Sequence, residues 1–197
     1  MVKAILLDMD GVLVDSTNAW FVLFNKSLKH FENREISREE FETEIRGSNI
    51  DTDVARYFHV TVKEVLEYFR QHEGLLKTKI PFPDTKQTLE ALRKKGLRLA
   101  VVTNTPRALT LDMLRSCELL SLFNSVNCYD DVERGKPAPD LIMRALKELK
   151  VERTDVLYVG DTYTDELAAK SAGVTYIGFG RNGDKRIEKL SELLSLV

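Results

Sequence analysis

Apolar and polar positions follow two different rhythms along this chain. Lys3 to Leu7 is a short apolar run closed by Asp8 and Gly11, the length and punctuation of a buried strand. From Ser16 the rhythm changes: Trp20, Phe21, Phe24 and Leu28 recur at three- and four-residue spacings, which predicts an amphipathic helix capped by Ser16. Ser37 and Glu40 have capping-box spacing ahead of Phe41 and Ile45, with Gly47 as the stop. Residues 51 to 58 and 61 to about 77 read as two further helices, so no strand is expected from 15 to 79. The prolines of Ile80-Pro81-Phe82-Pro83-Asp84 then exclude helix and stiffen the chain.

Beyond that break, helices at 85–95, 107–120, 140–150 and 165–172 alternate with strands at 97–102, 124–128, 156–159 and 174–177. The final segment puts Ile187, Leu190, Leu193, Leu194 and Val197 on one helical face. Alternation of this kind implies right-handed crossovers and a parallel sheet covered on both sides. The expected fold is therefore α/β, a Rossmann-like parallel-sheet core interrupted after its first strand by a small all-helical domain. The expected limits are 1–14 and 83–197 for the core and 15–82 for the insert, with hinges at Val14 to Ser16 and Ile80 to Asp84.

A chain of 197 residues with 43% hydrophobic content can bury an ordinary core. A net charge of -2 gives no basic balance that would argue for nucleic acid. No apolar stretch approaches the roughly 20 residues of a membrane span, and no secretory leader is evident, so a cytoplasmic location is expected. Cys117 and Cys128 lack a ligand-pair spacing and fall in apolar segments, as buried thiols do. Nothing in the pattern distinguishes a monomer from a small homo-oligomer.

Asp8 and Asp10 stand two apart at the end of the first strand. Regular alternation would set them about 7 Å apart on one face, where two carboxylates repel unless a cation or proton intervenes. The other polar signatures also follow strands: Thr103-Asn104-Thr105, Lys136-Pro137, and Gly160-Asp161 with Asp165 four residues on. In open α/β sheets, ligands bind beyond the carboxyl ends of the strands. Four segments distant in sequence thus converge on one edge.

The runs Asp8-Met9-Asp10-Gly11-Val12, Val101-Val102-Thr103-Asn104-Thr105, Gly135-Lys136-Pro137 and Gly160-Asp161-Thr162-Tyr163-Thr164-Asp165, in this order, resemble the haloacid dehalogenase superfamily over essentially the whole chain. The resemblance implies that Asp8 is a nucleophile forming an aspartyl phosphate, and that Asp10 is the general acid and base with its main-chain carbonyl on a metal. It implies Mg²⁺ held by Asp8, Asp10, Asp161 and Asp165, the last directly or through water or Lys136. Thr103, the Asn104 main-chain N–H and Lys136 are the expected phosphoryl ligands. The helical insert becomes a cap over the site, with Arg46 and Asn49 as candidate substrate contacts.

Asp10 points to phosphate chemistry, because dehalogenases of this superfamily lack an acid there. A Mg²⁺-dependent phosphatase acting on a small phosphorylated metabolite, similar to phosphoglycolate phosphatases, is the expected activity. A β-phosphoglucomutase-like mutase is the rival enzyme, although that branch has a cap arginine where this chain has Ile50 and a Glu-Asp pair where it has Gly160-Asp161. A silent relative that binds a phosphorylated ligand or a protein is the non-enzymatic alternative.

Overall fold

The computed structural model describes residues 1 to 72, 74 to 75 and 80 to 197. Six parallel strands form the main sheet: β1 (Ala4–Leu7), β4 (Arg98–Thr103), β5 (Ser125–Cys128), β6 (Val156–Gly160), β7 (Thr175–Phe179) and β8 (Lys185–Ile187), in the order β5-β4-β1-β6-β7-β8. β1 lies between β4 and β6, with Leu6 opposite Ala100 on one side and Tyr158 on the other. Successive residues feed opposite layers. Ile5, Leu7, Leu99, Val101, Val159 and Ile177 share one apolar core, while Ala4, Leu6, Ala100, Val102, Tyr158 and Tyr176 share another. The first layer is covered by helix α5 (Thr85–Lys94), helix α6 (Arg107–Ser116) and the C-terminal turns. The second is covered by α7 (Asp140–Leu149) and α8 (Tyr163–Ala172).

The inserted helices enclose a third apolar cluster, which Leu109 of α6 joins. Helix α1 (Thr17–Glu32), the short helix α2 (Arg38–Glu40), α3 (Ile50–Tyr57) and α4 (Val62–Gln71) pack around Leu23, Phe24, Leu28, Phe41, Tyr57 and Phe69. Thr61 and Glu64 close a reciprocal capping box on α4, and Ser37 accepts from the Glu40 N–H at the start of α2. Among the described residues no helix is long and apolar enough to cross a membrane.

Several elements differ from the sequence pattern. Val14–Asp15 (β2) and Ile80–Pro81 (β3) form a two-stranded antiparallel ladder where the chain leaves and re-enters the core, at the two ends of the stretch from 15 to 79 in which no strand is expected and overlapping it only at Asp15. Two-residue strands carry no period. The helix expected across Phe41 and Ile45 continues α2 as a π-helical turn, Phe41–Ile45. Ser16 precedes α1 but makes no capping bond, and its buried hydroxyl has no hydrogen-bond partner. The helix expected to reach 77 ends at Gln71; residues 73 and 76–79 lie outside the described residues. Glu118, in the left-handed region at φ 56, ends the helix that had been expected to reach 120. Most clearly, the C-terminal helix is absent. Ile187 closes strand β8, and Leu190–Ser195 is a 3-10 turn that buries Leu190 and Leu193 against the core.

Leu6 is fully buried at the centre of the sheet. Leu6→Ala is expected to cost about 2–5 kcal/mol, read as a lowered urea midpoint. Met143→Ala, at a side chain 42% exposed, stays within about 0.5 kcal/mol.

Candidate active site

The strand order dictates where the polar ends meet. Because β4 and β6 flank β1, Thr103 at the end of β4 stands beside Asp8 and Asp161, which follow β1 and β6, and the loop before α7 brings Lys136 to the same edge. The first strand stops at Leu7, so regular alternation does not extend through Asp8 and Asp10. Their carboxylates diverge. Asp8 reaches Lys136, whereas Asp10 accepts from the Trp20 indole N–H of the cap at 2.7 Å and from the Thr105 hydroxyl at 2.7 Å. Both still line one cavity.

Lys136 is 2% exposed and stands between two carboxylates, 2.9 Å from Asp8 Oδ1 and 2.6 Å from Asp165 Oδ1. Burial alone would push its pKa down, but Asp165 and Asp8 reverse this and hold the ammonium above the usual lysine range. Asp165 is fully buried. Its Oδ1 also accepts from the Tyr158 hydroxyl at 2.5 Å, and its Oδ2 accepts from the Thr162 N–H at 3.0 Å and the Thr162 hydroxyl at 2.5 Å. Burial raises the Asp165 pKa, yet Lys136 and these donors outweigh it and hold the carboxyl below its ordinary value. With four donors on two oxygens, Asp165 holds Lys136 in this arrangement, one of the alternatives expected for it beside direct metal ligation.

Asp8 has the opposite balance. Burial lifts its pKa well above the ordinary value, Asp165, Asp161 and Asp10 add to that, and Lys136 opposes it. Burial and Asp165 lift Asp161 to about 6, against the pull of Arg46. Asp8, Asp161 and Asp165 each offer an oxygen within 4.8 Å of the others, and the Asp161 Oδ1 is buried with no hydrogen-bond partner. Hard oxygen donors crowded beyond what one lysine neutralises fit an ion such as Mg²⁺. Gly11 lets this crowding happen: at φ +79, a Cβ there would sit 2.1 Å from Asp161 Oδ2.

Thr103 is buried, and its hydroxyl accepts from the Thr105 N–H at 3.1 Å. The Asn104 side chain, rather than its main chain, makes the conspicuous contacts: Nδ2 donates to the carbonyls of Gly47, Ser48 and Lys136, and Oδ1 accepts from the Lys136 N–H. The cap is thereby docked on the core. Gly47, at φ +81, lies so close to Thr162 that a Cβ would meet it at 2.7 Å, and its carbonyl accepts from Thr164 at 2.7 Å. Arg46 lines the cavity and reaches Asp161 at 2.5 Å and Glu42 at 3.0 Å. Asn49 does not line the cavity. It caps α3, accepting from the Thr52 N–H at 3.0 Å, which is why an asparagine stands there.

A family model for haloacid dehalogenase-like hydrolases matches residues 5–179. The chain belongs to that family. It is 31% identical over 202 residues to a phosphoglycolate phosphatase of Nitrosospira multiformis, covering 96% of this chain and 88% of that one. It is 32% identical over 212 residues to the pyrophosphatase PpaX of Anoxybacillus flavithermus, covering 100% and 97%. The fold matches crystalline CbbY from Rhodobacter sphaeroides with a TM-score of 0.88 at 22% identity, over 98% of this chain and 96% of that one.

In this haloacid dehalogenase-like hydrolase, sequence reading missed Trp20, Thr105, Tyr158, Thr162 and, above all, Asp53. Asp53 lies in the first turn of α3, where an acid is ordinary helix chemistry. Here it lines the cavity, 8% exposed, and accepts a hydrogen bond from the Ser48 hydroxyl. Burial raises its pKa from 3.8 to about 7, with Ser48 and Arg56 pulling the other way. Between these values the native state keeps a proton that the unfolded chain has released, so stability falls as pH rises from about 4 to 7. Asp53→Asn removes that slope. From pH 5 to pH 8 the stability gap between variant and parent should open in the variant's favour by about 2–3 kcal/mol, measured by urea unfolding at both values. A constant gap would contradict it.

Proposed function

We propose that this hydrolase is a Mg²⁺-dependent phosphatase acting on a small phosphorylated metabolite through an aspartyl phosphate. The observation that carries the reading is the meeting of Asp8, Asp10, Thr103 and Lys136 on one cavity, supplied by three different strand ends and loops. The names of the two relatives, a phosphoglycolate phosphatase and a pyrophosphatase, support phosphate as the group transferred. The cap is taken as residues 15–82 and the core as 1–14 with 83–197, limits supported by the β2–β3 ladder at the seam.

An Asp8 carboxylate oxygen attacks phosphorus while the bond to the leaving oxygen breaks. Asp10 gives that oxygen its proton. Asp10 then takes a proton from water, whose oxygen attacks phosphorus and releases Asp8 and inorganic phosphate. Lys136 and the Thr103 hydroxyl face the equatorial phosphoryl oxygens, where charge must be met in the transition state. Asp165, Tyr158 and Thr162 hold Lys136 in place. Asp8, Asp161 and the main-chain carbonyl of Asp10 would hold Mg²⁺, which supplies positive charge against the phosphoryl oxygens. The closed cap keeps bulk water from the reacting atoms. Ile50, on the cavity wall where mutases of this superfamily have arginine, favours hydrolysis over mutation.

Purified protein should release phosphate from p-nitrophenyl phosphate with Mg²⁺ and stop when EDTA is added. Asp8→Asn should reduce turnover at least about 10³-fold, and Asp10→Asn about 10²- to 10⁴-fold, with unfolding midpoints near the parent's. Parental turnover by Asp8→Asn would overturn the nucleophile.

A further inference from the structure

The cavity, about 120 Å³, has two unlike ends. Toward the sheet it is charged. Toward the cap its wall is Trp20, Phe24, Phe41, Ile45, Ile50 and Phe69, interrupted by Arg46, Ser48 and Asp53. A leaving group attached to a phosphoryl at Asp8 extends into this second end, because the sheet closes the first.

Two cations line the cavity, and both are engaged. Lys136 pairs with Asp8 and Asp165, and Arg46 pairs with Asp161 and Glu42. The acid of the cap wall is different. Asp53 accepts from the Ser48 hydroxyl through one oxygen, and its carboxyl lines the cavity. Ser16, also on the wall, has a buried hydroxyl with no partner. A second anion on the substrate would leave water to face apolar rings and the Asp53 carboxyl, and would have to compete with Asp161 and Glu42 for Arg46. A neutral group with an O–H or N–H donor would fill the apolar wall and donate to the Asp53 carboxyl.

We propose that the cap end is a leaving-group subsite for an uncharged, largely apolar alcohol bearing a hydrogen-bond donor, with Asp53 and Ser48 reading that donor and Asp53 discriminating against a second anion. This rests on the phosphatase reading above. It separates this chain from enzymes whose leaving group is itself an anion, such as glycolate or phosphate. Asp53 is thus a specificity residue, on the helix that also carries Ile50 into the cavity.

Steady-state hydrolysis with Mg²⁺ tests it on benzyl phosphate, 3-hydroxybenzyl phosphate, 2-phosphoglycolate and pyrophosphate. The first three leave as alcohols once Asp10 has protonated them, so intrinsic reactivity does not set their order. The parent enzyme should show kcat/KM at least about tenfold higher for benzyl phosphate than for 2-phosphoglycolate or pyrophosphate, with 3-hydroxybenzyl phosphate higher still. Asp53→Asn should narrow the gap to 2-phosphoglycolate at least about threefold. Equal or better turnover of either anion by the parent overturns the subsite and leaves the phosphatase reading standing. If no ester is hydrolysed, the phosphatase reading fails and binding decides the subsite. Trp20, the single tryptophan, lines the cavity, so its fluorescence reports occupancy. Tighter binding of benzylphosphonate than of phosphonoacetate supports the subsite, and the reverse order overturns it.

Discussion

The structure depends on one buried ammonium group. Lys136 lies beneath the surface between Asp8 and Asp165, and a buried charge is tolerable only when its partners are close and themselves satisfied. The two partners are unequal. Asp165 is held by Tyr158 and Thr162 as well, so it fixes the ammonium; Asp8 has Lys136 and the neighbouring Met9 N–H. The lysine is therefore anchored on one side and presented on the other. Three carboxylates against one lysine leave the cluster negative, and that residual charge gives a reason for a cation from outside and for Arg46 from the cap.

Topology makes this arrangement affordable for the chain. β1 is central, so its end is the one place where residues following β4 and β6 can both come within hydrogen-bonding reach. Strands buried on both faces have little freedom to shift register, since a one-residue slip would exchange the two apolar layers. The positions of Asp8, Thr103 and Asp161 at one edge are in that sense set by the packing of Ile5, Leu6, Leu99 and Tyr158 well below them.

What could be read in the sequence follows the same physics. Long apolar runs ended by polar residues identified β1, β4 and β6 and the residues at their ends, because burial on both faces leaves a continuous signal. β8 gave no such signal: Lys185-Arg186-Ile187 has one buried side chain, and its parallel pairing with β7 comes from a tight loop in which Asp184 accepts from the Tyr176 N–H at 2.9 Å. Ile187 and Leu190 kept a helical spacing by coincidence of two different elements. Tyr158 read as one more core aromatic, since its hydroxyl contact with Asp165 joins a strand to the following helix at close range without any motif. Asn49 and Asp53 illustrate the limit most sharply. Both are ordinary first-turn chemistry for α3, and only the fold separates the one that caps from the one that faces the cavity.

The cap's polar contacts fall on the residues assigned to the chemistry or beside them. Trp20 donates to Asp10, Arg46 to Asp161, and Asn104 and Thr164 grip the turn at Gly47 and Ser48. The contacts that seat the inserted helices on the sheet edge are therefore also contacts to Asp10 and Asp161. The Arg46 guanidinium pulls the Asp161 pKa down against the burial and the Asp165 charge that raise it. Burial of Asp161 makes each donor to it count for more, since electrostatic interactions strengthen where water is excluded. The same turn that carries Arg46 also carries Ser48, which bonds to Asp53. The segment that meets the charged end of the cavity thus also shapes its apolar end.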